Sequence, residues 1–189
     1  MKKWRKLDSQ HLLRTQWCSI RKDIVELPTG DIMDDYYVIE RPDVVLILPV
    51  KRNGKIILKK EYRYAVDSFL FELPGGTFSP ADEDALHAAK REFLEETGCE
   101  AARWDLIGQF YDYPTKDVYT THIFLARDVE NVGLQNLDVS EDIMLMELDQ
   151  AEVKKMVMQG EISVSSSVAG ILKGLDILET SFRVKGDPK

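Results

Sequence analysis

Cysteine is scarce in this sequence. The chain has 2 cysteines among 189 residues, Cys18 and Cys99, and they lie far apart. A disulfide framework needs several cysteine pairs at short spacings, and this chain does not supply them. We therefore expect both side chains to be reduced thiols.

The chain also lacks an excess of positive charge. It has 25 lysine and arginine residues against 33 aspartate and glutamate residues, which gives a net charge of -8. Non-specific nucleic-acid binding needs a basic face, so that function is not expected. The pairs Lys51-Arg52 and Lys59-Lys60 are interpreted as solvated strand ends. An anionic small molecule stays compatible with the composition, because a bound metal ion can invert the local field.

Long apolar runs are missing too. The longest, Val44 to Val50, contains Pro49 and has the length of a strand. A helix that spans a bilayer needs roughly 20 apolar residues, and the basic N-terminus is not followed by the apolar run of a secretory signal. We expect no membrane partner and a cytoplasmic location. With 44% hydrophobic residues and no internal repeat, one domain with a sizeable core is the simplest organisation.

One stretch stands out, from Leu73 to Cys99. It opens with a Pro-Gly-Gly turn, and Ser79-Pro80 is interpreted as a turn followed by a helix start. Leu86, Ala89 and Phe93 then recur at helical spacing, and Gly98 is placed to end the helix.

Three acids lie near the end of that helix. Glu92 and Glu96 are four residues apart, so their carboxylates share one face, and Glu95 is next to Glu96. Like charges at this spacing oppose the helix by a few tenths of a kcal/mol, and acids at a helix C-terminus oppose the macrodipole. A hard cation such as Mg²⁺ would remove this penalty, since it binds carboxylate oxygens and keeps positions for phosphate oxygens. The alternative is a solvated acidic helix end.

The same stretch resembles the Nudix box. From Glu83 onward the match is complete: seven residues lead to Arg91-Glu92, then Phe93, any residue, Glu95-Glu96, any residue, Gly98 and the apolar Cys99. One departure exists, because six residues rather than the pattern's five separate Gly76 from Glu83. The extra residue is expected in the loop of residues 77–82, where an insertion is tolerated.

The coarse secondary-structure prediction agrees with that resemblance. Strands are predicted over residues 17–27, 36–40, 44–48, 56–62, 69–73, 102–113, 118–126 and 144–148, with helices near 11–14, 154–158 and 168–178 besides the Nudix helix. Strands with flanking helices indicate an α/β fold. The resemblance implies the Nudix fold, a mixed β-sheet sandwiched between helices, preceded by N-terminal antiparallel strands.

The expected organisation has four parts. Residues 1–16 are an extension, residues 17–42 are N-terminal strands that form a candidate dimerisation element, residues 43–181 are the Nudix hydrolase domain, and residues 182–189 are a disordered tail.

Segments on both sides of the box resemble one branch of the family, the ADP-ribose pyrophosphatases and related nucleoside diphosphate sugar hydrolases. Glu61 to Tyr64 and Phe71 to Pro74 resemble its paired segments before the box, and Pro114 lies near its marker proline. The run from Ser140 to Ile143 resembles its acidic loop, and Gly160 to Ile162 its closing segment. The likeness covers residues 17–178.

The resemblance implies roles for the box residues. Glu92 and Glu96 become the main metal ligands, with Glu95 as a third, the Gly75 carbonyl as a backbone ligand, and Mg²⁺, or Mn²⁺ in its place, as the cofactor. Arg91 and Glu83 then orient these carboxylates. An ordinary ion pair between Arg91 and Glu95 is the structural alternative, and both can hold.

The general base is less clear from the sequence. In this branch a mobile loop supplies two acids, one at the position of Glu141 and one two residues earlier, where this chain has Val139. Glu141 is therefore interpreted as a metal ligand or the base, or as a plain surface acid. Asp138 and Asp142 are alternatives to Glu141 as the base, but their simpler interpretation is as acids on the surface of the loop.

Substrate contacts are expected from residues outside the box. Arg63 can hold a phosphate and Glu72 can accept hydrogen bonds from a base or ribose, although a structural ion pair between the two is a close alternative. The resemblance adds Trp17, Tyr37 and Arg41 in strands that reach across a dimer to the adenine. For the two aromatics a place in the core is the simpler interpretation.

The sequence therefore predicts a metal-dependent hydrolase of nucleoside diphosphate sugars, with ADP-ribose split to AMP and ribose 5-phosphate, acting as a homodimer. Another sugar nucleotide such as GDP-mannose or ADP-glucose is the rival substrate. A non-catalytic Nudix domain that senses a nucleotide is the rival from another class, and Val139 favours it while intact Glu92, Glu95 and Glu96 oppose it.

Overall fold

The computed structural model describes the backbone of residues 1–15 and 18–186, and the side chains of residues 1–15 and 18–180. Its strands are β1 (Arg5–Arg14), β2 (Ser19–Glu26), β3 (Ile32–Glu40), β4 (Asp43–Lys51), β5 (Ile56–Arg63), β6 (Ser68–Glu72), β7 (Gly75–Phe78), β8 (Cys99–Phe110), β9 (Thr121–Asn131) and β10 (Met144–Leu148). Its helices are α1 (Ala85–Thr97), α2 (Gln150–Gln159) and α3 (Ser165–Gly186).

The N-terminal strands form a sheet of their own. Strands β1, β2 and β3 pair antiparallel in that order, and Gly30, with φ of 93°, lies in the turn between β2 and β3. The short helix predicted at residues 11–14 is wrong, because these residues belong to β1. That strand is mostly polar, exposed along nearly its whole length, and its leucines do not alternate, so no hydrophobic pattern indicated a strand. Trp17 lies outside the described residues.

The central sheet is mixed, as predicted. Its path is β10-β5-β4-β9-β8, in which β4 and β9 run parallel and the other pairs are antiparallel. Strand β6 extends the pairing of β5, and β7 pairs with β4. Residues 75–78 were expected to belong to the Pro-Gly-Gly turn and the loop after it. They form instead the 4-residue strand β7, which begins with Gly75 and Gly76.

Helices cover both faces of the central sheet. Alternate residues of β4 divide between two cores: Leu46 and Leu48 face α2 and α3, whereas Val45 and Ile47 face α1. The first core adds Leu58, Ile123, Leu125, Val153, Ile171 and Leu175, and the second adds Ile57, Phe124, Ala126, Ala88, Ala89 and Phe93. This burial on both faces explains the continuous apolar run of β4 and gives an α/β/α sandwich.

Local sequence signals set several boundaries. Asn53-Gly54 makes the tight turn between β4 and β5, and Gly98, with φ of 64°, ends α1. Helix α1 begins at Ala85 rather than at Ser79-Pro80, because Asp84 accepts hydrogen bonds from the two backbone N–H groups that follow Ala85.

At the other end of the chain, α3 continues to Gly186. Residues 182–186, expected in a disordered tail, are therefore helical in backbone, and residues 187–189 lie outside the described part. None of the helices described here has the length and apolarity needed to span a bilayer.

The two sheets are joined beside the loop that precedes β9. The backbone of Ile39 exchanges hydrogen bonds with Lys116 and Val118, and the Tyr36 hydroxyl donates to the Thr115 carbonyl. Arg41 forms an ion pair with the buried carboxylate of Asp117. The N-terminal sheet is thereby fixed against one end of the central sheet, next to the mouth of the cleft described below.

Candidate active site

Two adjacent glycines bring the backbone of β7 against its neighbours. Gly75 has φ of 148°, and a Cβ atom there would lie 2.0 Å from the Val45 carbonyl oxygen of β4. A Cβ atom on Gly76 would lie 2.3 Å from the Glu92 carboxylate. Only glycine leaves this space, so the predicted turn residues are what allow α1 to approach the sheet with its acids pointing inward.

Helix α1 presents its two faces to different surroundings. Ala88, Ala89 and Phe93 pack on the sheet, while Glu92 and Glu96 point along β7 into a cleft of about 440 Å³. Burial raises the pKa of Glu92, with further increases from the charges of Glu95 and Glu141 and an opposing effect from Arg91. The like charges inferred from the sequence thus act on one another in the fold.

Arg91 holds the neighbouring carboxylates in place. Its guanidinium donates to Glu83 at 3.0 Å, to Glu92 at 2.9 Å and to Glu95 at 3.1 Å. Hydrogen bonds from Arg91 and His87 hold the pKa of Glu83 below its ordinary value against the effect of burial. Arg91 therefore pairs with Glu95 at the helical spacing and also contacts Glu83 and Glu92, and its role in orienting metal ligands stays a prediction.

Glu96 is almost fully buried and has a partner at each oxygen. Its Oε2 accepts the Gly75 N–H at 2.7 Å, and its Oε1 accepts the Lys59 ammonium at 2.5 Å. Burial raises the pKa of Glu96 to about 7, against the opposing effects of Lys59 and the Gly75 N–H. The interpretation of Lys59-Lys60 as a solvated pair is wrong for Lys59, whose side chain is only 2% exposed.

Arg63 and Glu72 form the ion pair that was the alternative to separate substrate contacts. The Arg63 guanidinium donates twice to the Glu72 carboxylate, at 2.9 and 2.7 Å, and once to Glu61 at 3.0 Å. Its side chain keeps 40% exposure, and both Arg63 and Glu72 line the cleft. Arg63 is therefore a fixed cation at the cleft wall rather than a free arm.

The acidic loop supplies another part of the cleft wall. Glu141 and Asp138 line the cleft, and the Glu141 carboxylate accepts the Asp138 N–H at 2.9 Å. The charge of Glu141 contributes to the raised pKa values of Glu92 and Glu96. Val139 is fully exposed and does not line the cleft, so Asp138, read from the sequence as a surface acid, is the second loop acid that faces the site.

The carboxylates share the cleft without forming a finished metal cluster. Among residues 1–15 and 18–180, no three His, Cys, Asp or Glu side chains are arranged to hold one ion. The donors that line the cleft are nevertheless hard oxygens, from Glu92, Glu96, Glu141 and the Gly75 backbone. This donor chemistry fits Mg²⁺ or Mn²⁺, and the Lys59 ammonium lies among the same oxygens.

Several predicted residues lie outside the cleft lining. Glu95 is held by Arg91 with its side chain 39% exposed, Tyr37 is exposed on β3, and Pro114 lies in the exposed turn before β9. Arg41 lines a small adjoining pocket with Tyr119, whose ring its guanidinium covers at 4.7 Å. Tyr119 lines both spaces, so this pocket opens beside the main cleft.

Sequence reasoning missed part of the cleft wall. The unpredicted lining residues include Lys59, Asp112, Tyr119, Thr121, Ser166 and Ser167. Ser167, expected only as part of a helix cap, is fully buried, and its hydroxyl accepts the Leu73 N–H at 3.1 Å. Lys59 lies on the same face of β5 as Ile57, which packs against α1, because residues two apart on a strand share a face. The other unpredicted lining residues come from distant segments of the chain, and no local sequence pattern marked them as residues of the cleft.

Comparisons with known proteins agree with the geometry. A family model described as the NUDIX domain matches residues 40–165, and a model described as the nucleoside diphosphate sugar hydrolase N-terminal domain matches residues 4–39. An ADP-ribose pyrophosphatase of Mycobacterium tuberculosis is 31% identical over 155 residues, which are 82% of this chain and 74% of that protein. An ADP-ribose pyrophosphatase of Bacillus subtilis is 31% identical over 139 residues, 73% of this chain and 74% of that protein.

A solved structure supports the fold independently. The crystal structure of an ADP compounds hydrolase superposes with a TM-score of 0.84 at 20% sequence identity, covering 96% of this chain and 97% of that one. The NUDIX match spans the central sheet, α1, α2 and most of the residues that line the cleft. This chain belongs to the Nudix family, and it is a Nudix hydrolase with an N-terminal sheet of the nucleoside diphosphate sugar hydrolase type.

Proposed function

We propose that this protein hydrolyses the diphosphate linkage of a nucleoside diphosphate sugar, with ADP-ribose as the substrate and AMP and ribose 5-phosphate as the products. The observation that carries the proposal is the cleft in which Glu92, Glu96 and Glu141 face Arg63, beside the Arg41–Tyr119 pocket. Two curated relatives at 31% identity are ADP-ribose pyrophosphatases.

Glu92, Glu96 and the Gly75 carbonyl would hold Mg²⁺, or Mn²⁺ in its place, and Glu141 is the further candidate ligand. When bound, the cation neutralises the diphosphate oxygens and lowers the pKa of water. Arg91 fixes the Glu92 carboxylate through the hydrogen bond at 2.9 Å. It also forms ion pairs with Glu83 and Glu95. Glu95 thus acts through Arg91 rather than from the cleft.

The proton acceptor is proposed to be Glu141. It is half-buried at the cleft wall, and its position is fixed by the Asp138 N–H. A carboxylate with this placement can take a proton from a water molecule that enters between it and the diphosphate. Asp138 lines the same wall and is the substitute base.

Substrate orientation is proposed to come from the two cations at the cleft. Arg63, held by Glu72 and Glu61, presents a fixed guanidinium to a phosphate. The Arg41 guanidinium and the Tyr119 ring, stacked at 4.7 Å, offer planar surfaces for a nucleobase. The base then lies in the adjoining pocket and the sugar phosphate extends toward Ser166 and Ser167.

We propose further that the chain acts as a homodimer through its N-terminal sheet. Strands β1 and β3 are both sheet edges, and exposed apolar side chains on these strands and the preceding segment include Trp4, Leu7, Leu12, Leu13, Ile32 and Tyr37. Edges and exposed apolar groups of this kind favour pairing with another chain.

The test is a hydrolysis panel of ADP-ribose, ADP-glucose, GDP-mannose and NADH, each with Mg²⁺ and with EDTA. We expect AMP release from ADP-ribose that needs Mg²⁺ and falls below about one hundredth in Glu96→Gln, because a buried metal ligand is lost. The control, Glu100→Gln, changes an exposed acid outside the cleft and retains activity.

Each other outcome has a defined meaning. Preference for GDP-mannose or ADP-glucose keeps the chemistry and refutes the proposed substrate. Absence of turnover, together with a higher melting temperature in the presence of ADP-ribose, would identify a nucleotide sensor in place of an enzyme.

A further inference from the structure

Lys59 is among the largest fully buried side chains in the described part of the chain, and the proposed mechanism gives it no role. It lies on β5 and points toward α1, where its Nζ atom contacts three oxygens. These are Glu96 Oε1 at 2.5 Å, Glu61 Oε2 at 3.2 Å and the Gly75 carbonyl at 3.5 Å. A buried ammonium is retained only where anions and hydrogen bonds compensate for its lost hydration.

Two of these three oxygens belong to groups proposed to bind the metal. Glu96 has a backbone donor on Oε2, the Gly75 N–H at 2.7 Å, and Lys59 on Oε1. The backbone donor is fixed by the pairing of β7 with β4. A metal ion that approaches Glu96 must therefore displace the lysine or bind close to its positive charge, and both weaken the binding of the ion.

The balance of charges around Lys59 also favours a cation of higher charge. Glu61, Glu72 and Glu96 face Lys59 and Arg63, so the carboxylates outnumber the cations in this buried cluster. Glu61 Oε2 is buried and accepts no hydrogen bond from a described residue, although it lies in ionic contact with Lys59. An unsatisfied buried carboxylate oxygen beside the ammonium indicates a cation site that Lys59 fills incompletely.

We propose that the Lys59 ammonium is a resident cation of the cleft, which competes with the divalent metal ion for Glu96 and the Gly75 carbonyl. It neutralises the buried carboxylates while no metal is bound, and it lowers the affinity of the site for that metal. The inference rests on the proposed metal-dependent function, because it concerns the same oxygens.

The test measures Mn²⁺ binding to the full chain, without nucleotide, by electron paramagnetic resonance and calorimetry. Lys59→Gln removes the charge and keeps a polar side chain, while Lys60→Gln changes the neighbouring, half-exposed lysine and is the matched control. We expect Lys59→Gln to bind Mn²⁺ about tenfold more tightly than wild type, and Lys60→Gln and Lys59→Arg to bind it as wild type does.

Thermal melting supplies a second readout. In EDTA, Lys59→Gln should melt below wild type, because Glu96 and Glu61 lose their counter-ion. Saturating Mn²⁺ should raise its melting temperature by more than it raises that of wild type, because the stabilisation of the folded state by a ligand increases with the logarithm of its affinity.

Equal or weaker Mn²⁺ binding by Lys59→Gln would overturn the inference while leaving the proposed hydrolysis intact. Absence of Mn²⁺ and Mg²⁺ binding in wild type and in both glutamine variants would overturn the metal-dependent function itself. If Lys59→Gln does not fold, the question is decided with wild-type protein that carries ¹³C-labelled lysine. Its lysine NMR signals are followed during a titration with Mg²⁺. A shifted buried-lysine signal supports competition, and no shift in any lysine signal overturns it.

Discussion

At the scale of single residues, substitutions at the two glycines of β7 should have different effects, one on activity and the other on stability. A methyl group on Gly75 meets the backbone of β4, whereas the nearest atoms to a methyl group on Gly76 belong to the end of the Glu92 side chain. Gly76→Ala should therefore displace a proposed metal ligand and reduce kcat by about 10–100-fold, with little change in melting temperature.

Gly75→Ala is the matched comparison. Its positive φ and its contact with the Val45 carbonyl should destabilise the fold by roughly 2–4 kcal/mol, as measured by urea denaturation. If Gly76→Ala keeps full activity, or loses as much stability as Gly75→Ala, then the Glu92 carboxylate does not depend on the space beside Gly76.

Residue spacing predicted the part of the candidate site that lies on α1, for a physical reason. Glu92, Glu96 and Arg91 lie on one helix, and helical geometry fixes their relation to one another from sequence alone. Lys59 and Ser167 reach the cleft only because sheet order and helix packing bring β5 and α3 to α1. Tertiary burial of this kind leaves no trace in local spacing, and a lysine pair therefore resembled a solvated strand end.

At the scale of elements, ion pairs and hydrogen bonds between polar side chains link all three N-terminal strands. Asp23 of β2 accepts from Ser9 of β1 at 2.6 Å and from Arg21 at 3.1 Å, and Glu40 of β3 pairs with Arg21 and with His11 of β1. This explains why the sequence predicted β4 as a strand and did not predict β1. A strand that is held by cross-strand ion pairs has no apolar alternation. Strong local signals such as Asn53-Gly54 and Gly98 were enough elsewhere.

The same cluster predicts that the N-terminal sheet is sensitive to acid. Burial raises the pKa of Asp23, but the hydrogen bonds from Ser9 and Arg21 outweigh it and leave that pKa below its ordinary value. The hydrogen bonds of Glu40 with His11 and Arg21 likewise lower its pKa, against the effect of burial. Their stabilisation is therefore complete above the unfolded pKa values and is lost as the pH falls through the folded ones.

Melting temperature measured from about pH 6 to about pH 3 should show this loss in wild type. Arg21→Met should melt lower near neutral pH, because Asp23 is then buried with one hydrogen bond fewer, and its melting temperature should fall less on acidification. A constant difference between the two proteins across this range would contradict the assignment.

At the scale of the whole molecule, the N-terminal sheet and the cleft meet at one place. Arg41 follows β3, pairs with the buried Asp117 and covers the Tyr119 ring that lines the cleft. Any change in how the N-terminal sheet is held is therefore transmitted to the pocket proposed for the nucleobase. The sequence predicted the sandwich and the N-terminal strands separately, but their junction depends on a loop, residues 113–118, that has no periodic signal.

This junction makes the proposed dimer testable through substrate binding. Leu12 and Leu13 of edge strand β1 are 53% and 48% exposed, and charges there should prevent pairing with a second chain. The double substitution Leu12→Glu with Leu13→Glu should give a monomer by sedimentation velocity. Its KM for ADP-ribose should rise about tenfold while kcat is kept, because the substitutions leave the proposed metal ligands unchanged.

Leu134→Glu changes a leucine that is 92% exposed outside the N-terminal sheet, and it should leave both mass and KM unchanged. A wild-type chain that sediments as a monomer refutes the dimer. A monomeric double variant with wild-type KM would keep the dimer and show that one chain alone completes the nucleobase pocket, with Arg41 and Tyr119 sufficient for it.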